Sequence, residues 1–265
     1  MCLVILAYRT HRGVSFLLGA NRDEDRARPT EGMQLLEAGP PRLAGGRDLR
    51  AGGTWMSVAE TGLVVALTNQ PRRGSDGQGR SRGEIPILLG RGGSARAAQE
   101  TARTFVPGVF NPCTVLVADD EQAFYLELIP GRPRRIEALE PGVHVLENRP
   151  WGIESPKERH VRSKLGELKA MNPDRALDRI RQTLSDPTTP VRPTSERSSQ
   201  EGTALQTPSE FDSRAPELDA ARVAFGSYGT RSSTLVSTAP TGGPRIWYSD
   251  GPPGIAEYIE YPMFE

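Results

Sequence analysis

The sequence predicts an α+β fold in which two antiparallel sheets are covered by pairs of helices. Two observations carry this. Apolar, β-branched-rich runs recur at 2–8, 14–20, 55–59 and 63–68, then at about 114–119, 123–129, 134–139 and 143–147, and finally at 233–238, 245–249 and 256–261. Helical patterns fall in two blocks between them, near 84–91 and 94–105 and again at 156–170 and 173–184. Elements gathered in blocks of like kind argue for α+β rather than for the strand–helix alternation of a doubly wound parallel sheet.

Taken in order, runs 2–8 and 14–20 form a hairpin whose polar link ends in Gly13, so the first strand starts at the second residue. Residues 21–33 (NRDEDRARPTEGM) read as a charged loop, and 39–53, rich in Gly, Pro and Arg, as another. A second hairpin turns at Gly62, and a Gly-rich loop at 71–83 leads into the first helix pair. In the second pair, Pro173 stands where a first helical position is expected, because its missing N–H costs nothing there. Residues 185–216 are rich in Pro, Ser, Thr and Glu with almost no apolar content, and read as a mobile insertion within a single domain spanning 1–265.

Composition narrows the function classes. The 33 basic residues balance 33 acidic ones, so the basic excess of a nucleic-acid binder is missing. No apolar run approaches the roughly 20 residues of a membrane helix, which speaks against stable membrane insertion. The apolar start at 2–8 is followed at once by Arg9, His11 and Arg12, unlike a signal peptide. Two cysteines, Cys2 and Cys113, make no disulfide framework and point to a reducing, cytoplasmic setting. Oligomeric state stays open.

Cys2 is the first candidate for chemistry. If Met1 is removed, Cys2 carries a free α-amine beside its own thiol. Their ordinary pKa values, about 7.7–8.0 and about 8.5, let the amine accept the thiol proton near neutrality. Nucleophile and base then share one residue. Equally, a cysteine can open a strand as a small apolar residue. Four further fragments sit at strand ends: Asn21-Arg22-Asp23-Glu24 after the second run, Asn69 closing LVVALTN, Asn148 closing VHVLEN, and Tyr228-Gly229-Thr230-Arg231 leading into the C-terminal strands. A strand-end amide can donate to a developing oxyanion, although Asn ahead of Pro is also ordinary turn chemistry. Arg231 can clamp an anion or pair with Asp23 or Glu24. His11, His144 and His160 show no metal-ligand spacing, and Cys113, opening an apolar strand, reads as buried and inert.

Together these fragments resemble the NRDE-motif family, also called the transport and Golgi organization protein 2 family. The matching strings are MC at the start, ANRDE at 20–24, Pro29, GGTW at 52–55, ALTN at 66–69, RG at 82–83, LEN then PW within 146–151, and YGTR at 228–231. More remotely, the chain is similar to the choloylglycine hydrolase and penicillin V acylase group of N-terminal-nucleophile hydrolases. That similarity implies a four-layer αββα sandwich of two antiparallel sheets. It also implies catalytic roles for Cys2, Asp23, Asn69, Asn148 and Arg231, with Arg22, Asn21 and Trp55 at the substrate. Two positions depart from the pattern. Ala20 stands where those hydrolases have an Arg three residues before the Asp, and, within the NRDE family's own pattern, Glu147 replaces a small residue before Asn148.

The implied activity is hydrolysis of a linear amide in a small acylated substrate, with no cofactor and no metal. The alternative implied by the NRDE family is a non-catalytic protein that binds or traffics haem.

Overall fold

The computed structural model describes residues 2–70, 79–149, 152, 154–191 and 215–264. Strands β1 (Cys2–His11) and β2 (Val14–Asp25) form the N-terminal hairpin, followed by β3 (Thr30–Glu37), β4 (Leu43–Asp48), β5 (Met56–Ala59) and β6 (Val64–Asn69). Helices α1 (Ile85–Gly90) and α2 (Ala95–Ala102) come next, then β7 (Cys113–Ala118), β8 (Ala123–Leu128), β9 (Arg135–Ala138) and β10 (Gly142–Leu146). Helices α3 (Pro156–Leu165) and α4 (Pro173–Leu184) precede the last strands, β11 (Ala224–Phe225), β12 (Tyr228–Thr238), β13 (Arg245–Ser249) and β14 (Ile259–Glu260).

One sheet runs β10-β1-β2-β12-β13-β14, with β11 on β12, and the other runs β3-β4-β5-β6-β7-β8-β9. Every pairing is antiparallel. Side-chain alternation sorts each strand between two cores. From β1, Val4, Leu6 and Tyr8 join Ala66, Leu116 and Tyr125 of the other sheet between the layers. Leu3, Ile5 and Ala7 point the other way, against Val161, Ile180 and Leu184 of α3 and α4. On the second sheet Val65, Val115 and Val117 pack outward on Leu89 and Ala98 of α1 and α2. The expected αββα layering is therefore present, with apolar area buried at three interfaces.

Two of the expected loops are strands. The charged stretch 21–33 continues β2 as far as Asp25 and begins β3 at Thr30, because β12 pairs with β2 along its whole polar end, from Asn21 to Asp25. Within 39–53, residues 43–48 form β4 despite Gly45 and Gly46. A Cβ on Gly45 would fall 2.3 Å from the Met56 carbonyl oxygen, and one on Gly46 would fall 2.2 Å from the Trp55 ring. These glycines admit neighbouring groups to the strand rather than breaking it. The YGTR string, expected as a link, is the start of β12, with Arg231 at a register shift.

Of the expected insertion at 185–216, residues 192–214 lie outside the described ones. Its edges are held in place. Asp186 accepts from Thr188 N and His160 Nε2, its carbonyl accepts from Arg222 N, and Ala215 packs with Leu218 and Val223.

Candidate active site

Because β1 alternates, Cys2 falls in the same set as Val4 and faces the space between the sheets. It is 7% exposed and lines a cavity of about 320 Å³ together with Arg22, Asp23, Trp55 and Asn69. Its backbone nitrogen donates to Asn148 Oδ1 at 2.5 Å, and Asn148 Nδ2 donates to the Asn69 carbonyl at 2.6 Å. An N–H on one side and a carbonyl on the other allow only one orientation of the amide. Next to it, Thr68 Oγ1 donates to the Glu147 carbonyl at 2.9 Å, and Gln70 Nε2 to the Arg149 carbonyl at 2.6 Å. The ends of β6 and β10, which belong to different sheets, are thereby stitched together at Cys2.

Asn148 was expected at the oxyanion, but both ends of its amide are occupied in holding Cys2 to Asn69. The side-chain amide of Asn69 makes no hydrogen bond among the described residues and stands at the cavity wall.

Asp23 is 3% exposed. Thr230 Oγ1 donates to its Oδ1 at 2.7 Å, the Tyr228 hydroxyl donates to its carbonyl at 2.9 Å, and Lys157 Nζ lies 3.9 Å from its Oδ2. Burial pushes the Asp23 carboxyl up, chiefly opposed by the Lys157 charge. Burial also pushes the Cys2 thiol up, and the Asp23 charge adds to this. The Asp23 backbone N–H, donating to the sulfur, and the Arg22 guanidinium act the other way. Lys157 is wholly buried and was not singled out from the sequence. Ser155 caps α3 by accepting from Glu158 N, and Pro156 starts the helix. That capping signature was readable, but the side of the helix that the next residue would face was not.

Arg22 and Trp55 form one wall. The Arg22 guanidinium stacks 4.3 Å from the Trp55 ring centroid and lies 3.6 Å from Asp48, while its buried Nη1 has no hydrogen-bond partner among the described residues. The GGTW and RG strings meet behind this wall. Thr54 N donates to the Gly83 carbonyl at 2.8 Å, and a Cβ on Gly53 would fall 2.4 Å from the Gly83 carbonyl carbon.

Two expected site residues are elsewhere. Asn21 lies on the opposite face of β2. Its Nδ2 donates to the Leu184 and Ala221 carbonyls, both at 2.9 Å, and its Oδ1 accepts from Ser233 Oγ at 2.7 Å, so it anchors α4 instead of touching substrate. Arg231 is not part of the cavity lining, and its Nη1 donates to Asp250 Oδ1 at 2.8 Å. The register shift in β12 turns it away from Asp23. Pro150 and Trp151 lie outside the described residues.

Among the described residues, no cluster of His, Cys, Asp and Glu is arranged to hold a metal, and no helix is long and apolar enough to cross a membrane.

Over nearly its whole length the chain is similar in structure to the C2A variant of a conjugated bile acid hydrolase from Clostridium perfringens. The TM-score is 0.52 at 13% identity, covering 98% of this chain and 92% of the hydrolase. An N-acylethanolamine-hydrolyzing acid amidase ortholog from Caenorhabditis elegans gives 0.54 at 14% identity, over 68% of this chain and 85% of that one. The fold is that of the N-terminal-nucleophile hydrolases. In sequence, the human Transport and Golgi organization protein 2 homolog is 29% identical over 92 residues, a match spanning 32% of this chain and 33% of the human protein. The family model for Transport and Golgi organisation 2 matches residues 1–247, and the chain belongs to that family.

Proposed function

We propose that the protein is a cysteine hydrolase of linear amide bonds in a small acylated substrate, with Cys2 as N-terminal nucleophile. The observation that carries this reading is the Cys2–Asn148–Asn69 bridge at the cavity. It holds the nitrogen of Cys2 in a fixed position, beside a thiol that opens onto space for a ligand. Both structural neighbours are named as hydrolases, one for conjugated bile acids and one for N-acylethanolamines, and an acylated substrate follows that pattern.

With Met1 removed, the α-amine of Cys2 takes the thiol proton and the sulfur attacks the carbonyl carbon. The Asn69 side-chain amide donates to the oxyanion. As the C–N bond breaks, the proton passes from the α-ammonium to the departing amine, leaving a thioester on Cys2. Water, deprotonated by the same amine, then attacks the thioester, releasing the acid and the free thiol. Arg22 and Trp55 receive the part of the substrate nearest Cys2, and Arg22 Nη1 provides a donor for an oxygen there. A reducing cytoplasmic setting keeps the thiol available.

The haem alternative finds less support at this cavity. Most of its lining is polar, with Arg22, Arg28, Asp48 and Arg82 facing a ligand, and no histidine contributes. His11, His144 and His160 lie elsewhere, with Nε2 at Leu168 O, Glu140 O and Asp186 Oδ2 respectively. Cys2 alone would remain as an axial ligand.

Hydrolysis of a panel of N-acylated amines and amino acids by the parent and by Cys2→Ser decides between the readings. The expected result is turnover by the parent that falls by orders of magnitude in the variant at unchanged fold. Saturable haem binding with no hydrolysis across the panel would overturn the enzyme.

A further inference from the structure

Resting on the nucleophile reading, we propose that Lys157 is a positioning residue for Cys2: its buried ammonium offsets the negative charge of Asp23, so that this carboxylate does not suppress the thiolate beside it.

Lys157 is 0% exposed, and an unpaired ammonium in such a place costs several kcal/mol. Its partners are acids on the two strands that flank β1. Asp23, at the end of β2, brings Oδ2 to 3.9 Å from Lys157 Nζ, and both side chains are sealed from solvent. Glu147, just past β10, is 5% exposed and has Lys157 as its foremost compensating charge. The charge of Lys157 thus acts on both polypeptide ends that hold Cys2. One is Asp23, whose N–H meets the sulfur, and the other is Asn148, directly after Glu147, which binds the nitrogen. Glu147 is also where the chain departs from the small residue expected before Asn148. An acid there matches a lysine on α3, so the two belong to one arrangement.

The electrostatic consequence concerns Cys2. On the thiol, the charged amino terminus and, more weakly, the Arg22 guanidinium act for the thiolate, while Asp23 acts against it. Glu24, Arg28, Asp48 and Arg82 are the other charged residues that line the cavity. Asp23 itself is faced by Lys157 from α3, by the charged amino terminus and by its neighbour Glu24, and Glu147 is faced by Lys157, Arg149 and Asp219. Among these, only Lys157 sits against both acids. Removing it exposes the thiolate to the full charge of Asp23.

The test follows the alkylation rate of Cys2 by iodoacetamide against pH, read by peptide mapping. It compares the parent, Lys157→Met, Asp23→Asn and the double variant. Lys157→Met is expected to move the midpoint of the profile upward by about one pH unit, which is roughly tenfold slower alkylation below the midpoint. In the Asp23→Asn background the same change is expected to leave the profile in place, because the charge that Lys157 neutralises is gone. An unmoved or lowered midpoint in Lys157→Met, or an equal displacement in both backgrounds, would overturn the proposal. If Lys157→Met does not fold, Lys157→Met/Glu147→Gln removes one of the two stranded acids and should show the same upward displacement. Alkylation needs no substrate, so the role of Lys157 can fail while amide hydrolysis stands, and the reverse.

Discussion

At the scale of single residues, Asn148 and Asn69 divide a task that their sequence context could not apportion. Both follow a strand and precede a proline within two residues, and both were expected at the oxyanion. The structure gives Asn148 the nitrogen of Cys2 and leaves the Asn69 amide at the cavity wall. Their variants should therefore differ in kind. Asn69→Ala should cost about 2.7–4 kcal/mol of transition-state stabilisation, seen as a lower kcat, if its amide serves the oxyanion. Asn148→Ala disturbs the base instead, with an expected loss of about 10²–10⁴-fold and a displaced pH–rate profile. Identical pH profiles for the two variants would contradict this division. The cysteines differ as sharply. Burial pushes the fully buried Cys113 thiol up to about 12, so brief iodoacetamide treatment of folded protein should label Cys2 first. That Cys2, Asp23, Asn69 and Asn148 come together was legible from their order at strand ends, since the first three line one cavity and Asn148 bridges Cys2 to Asn69. Asn21 and Arg231 were misplaced because a polar string does not say which face of a strand each member takes, and the shift at Arg231 changes the alternation.

At the scale of elements, the errors share one cause. Gly45, Gly46, Gly52 and Gly53 lower the apolar content of 39–53 enough to hide β4, yet three of them are required by what presses on them. No local pattern shows that the Met56 carbonyl, the Trp55 ring or Gly83 will arrive there. The strands with clean alternation or continuous apolar runs, β1, β6, β7 and β8, were legible to within three residues at each end because their neighbours reinforce the local preference. The contact between Gly53 and Gly83 offers a direct test. At Gly53 a methyl group meets backbone, which cannot swing aside as a side chain can. Gly53→Ala should therefore destabilise by about 1–3 kcal/mol, and should weaken activity through the displaced Trp55 wall. Urea unfolding by tryptophan fluorescence measures the first effect, and an unchanged midpoint would mean that the two loops separate freely.

For the molecule as a whole, the layering was legible because element order and the separation into blocks leave few ways to bury every apolar face. The buried charge group between α3, β2 and β10 was not, since it forms only when distant segments close on one another. Its presence predicts how stability responds to pH. Burial pushes the carboxyls of Asp23 and Glu147 up. Such a group holds its proton more readily folded than unfolded, so acidification from neutrality toward the ordinary carboxyl range favours the folded state, and that contribution is lost as pH rises again. Glu37, Glu60, Glu260 and Asp186 are held low, by Arg91, Arg42, Arg245 and the groups around Asp186. Their contribution is lost only below the ordinary carboxyl range, so they do not compete in this window. Burial of His144 lowers its pKa and works against the acids near pH 6, which makes the parent's curve a sum of opposed parts. Glu147→Gln separates them. Lys157 keeps Asp23 as its counter-charge in that variant, and a neutral amide replaces an acid that is costly to bury ionised. Relative to the parent, the variant should be most stable at pH 7.5 and should lose that advantage steadily as pH falls to 5. Urea midpoints across this range measure the difference, and a constant offset between the two proteins would show that Glu147 does not titrate with folding.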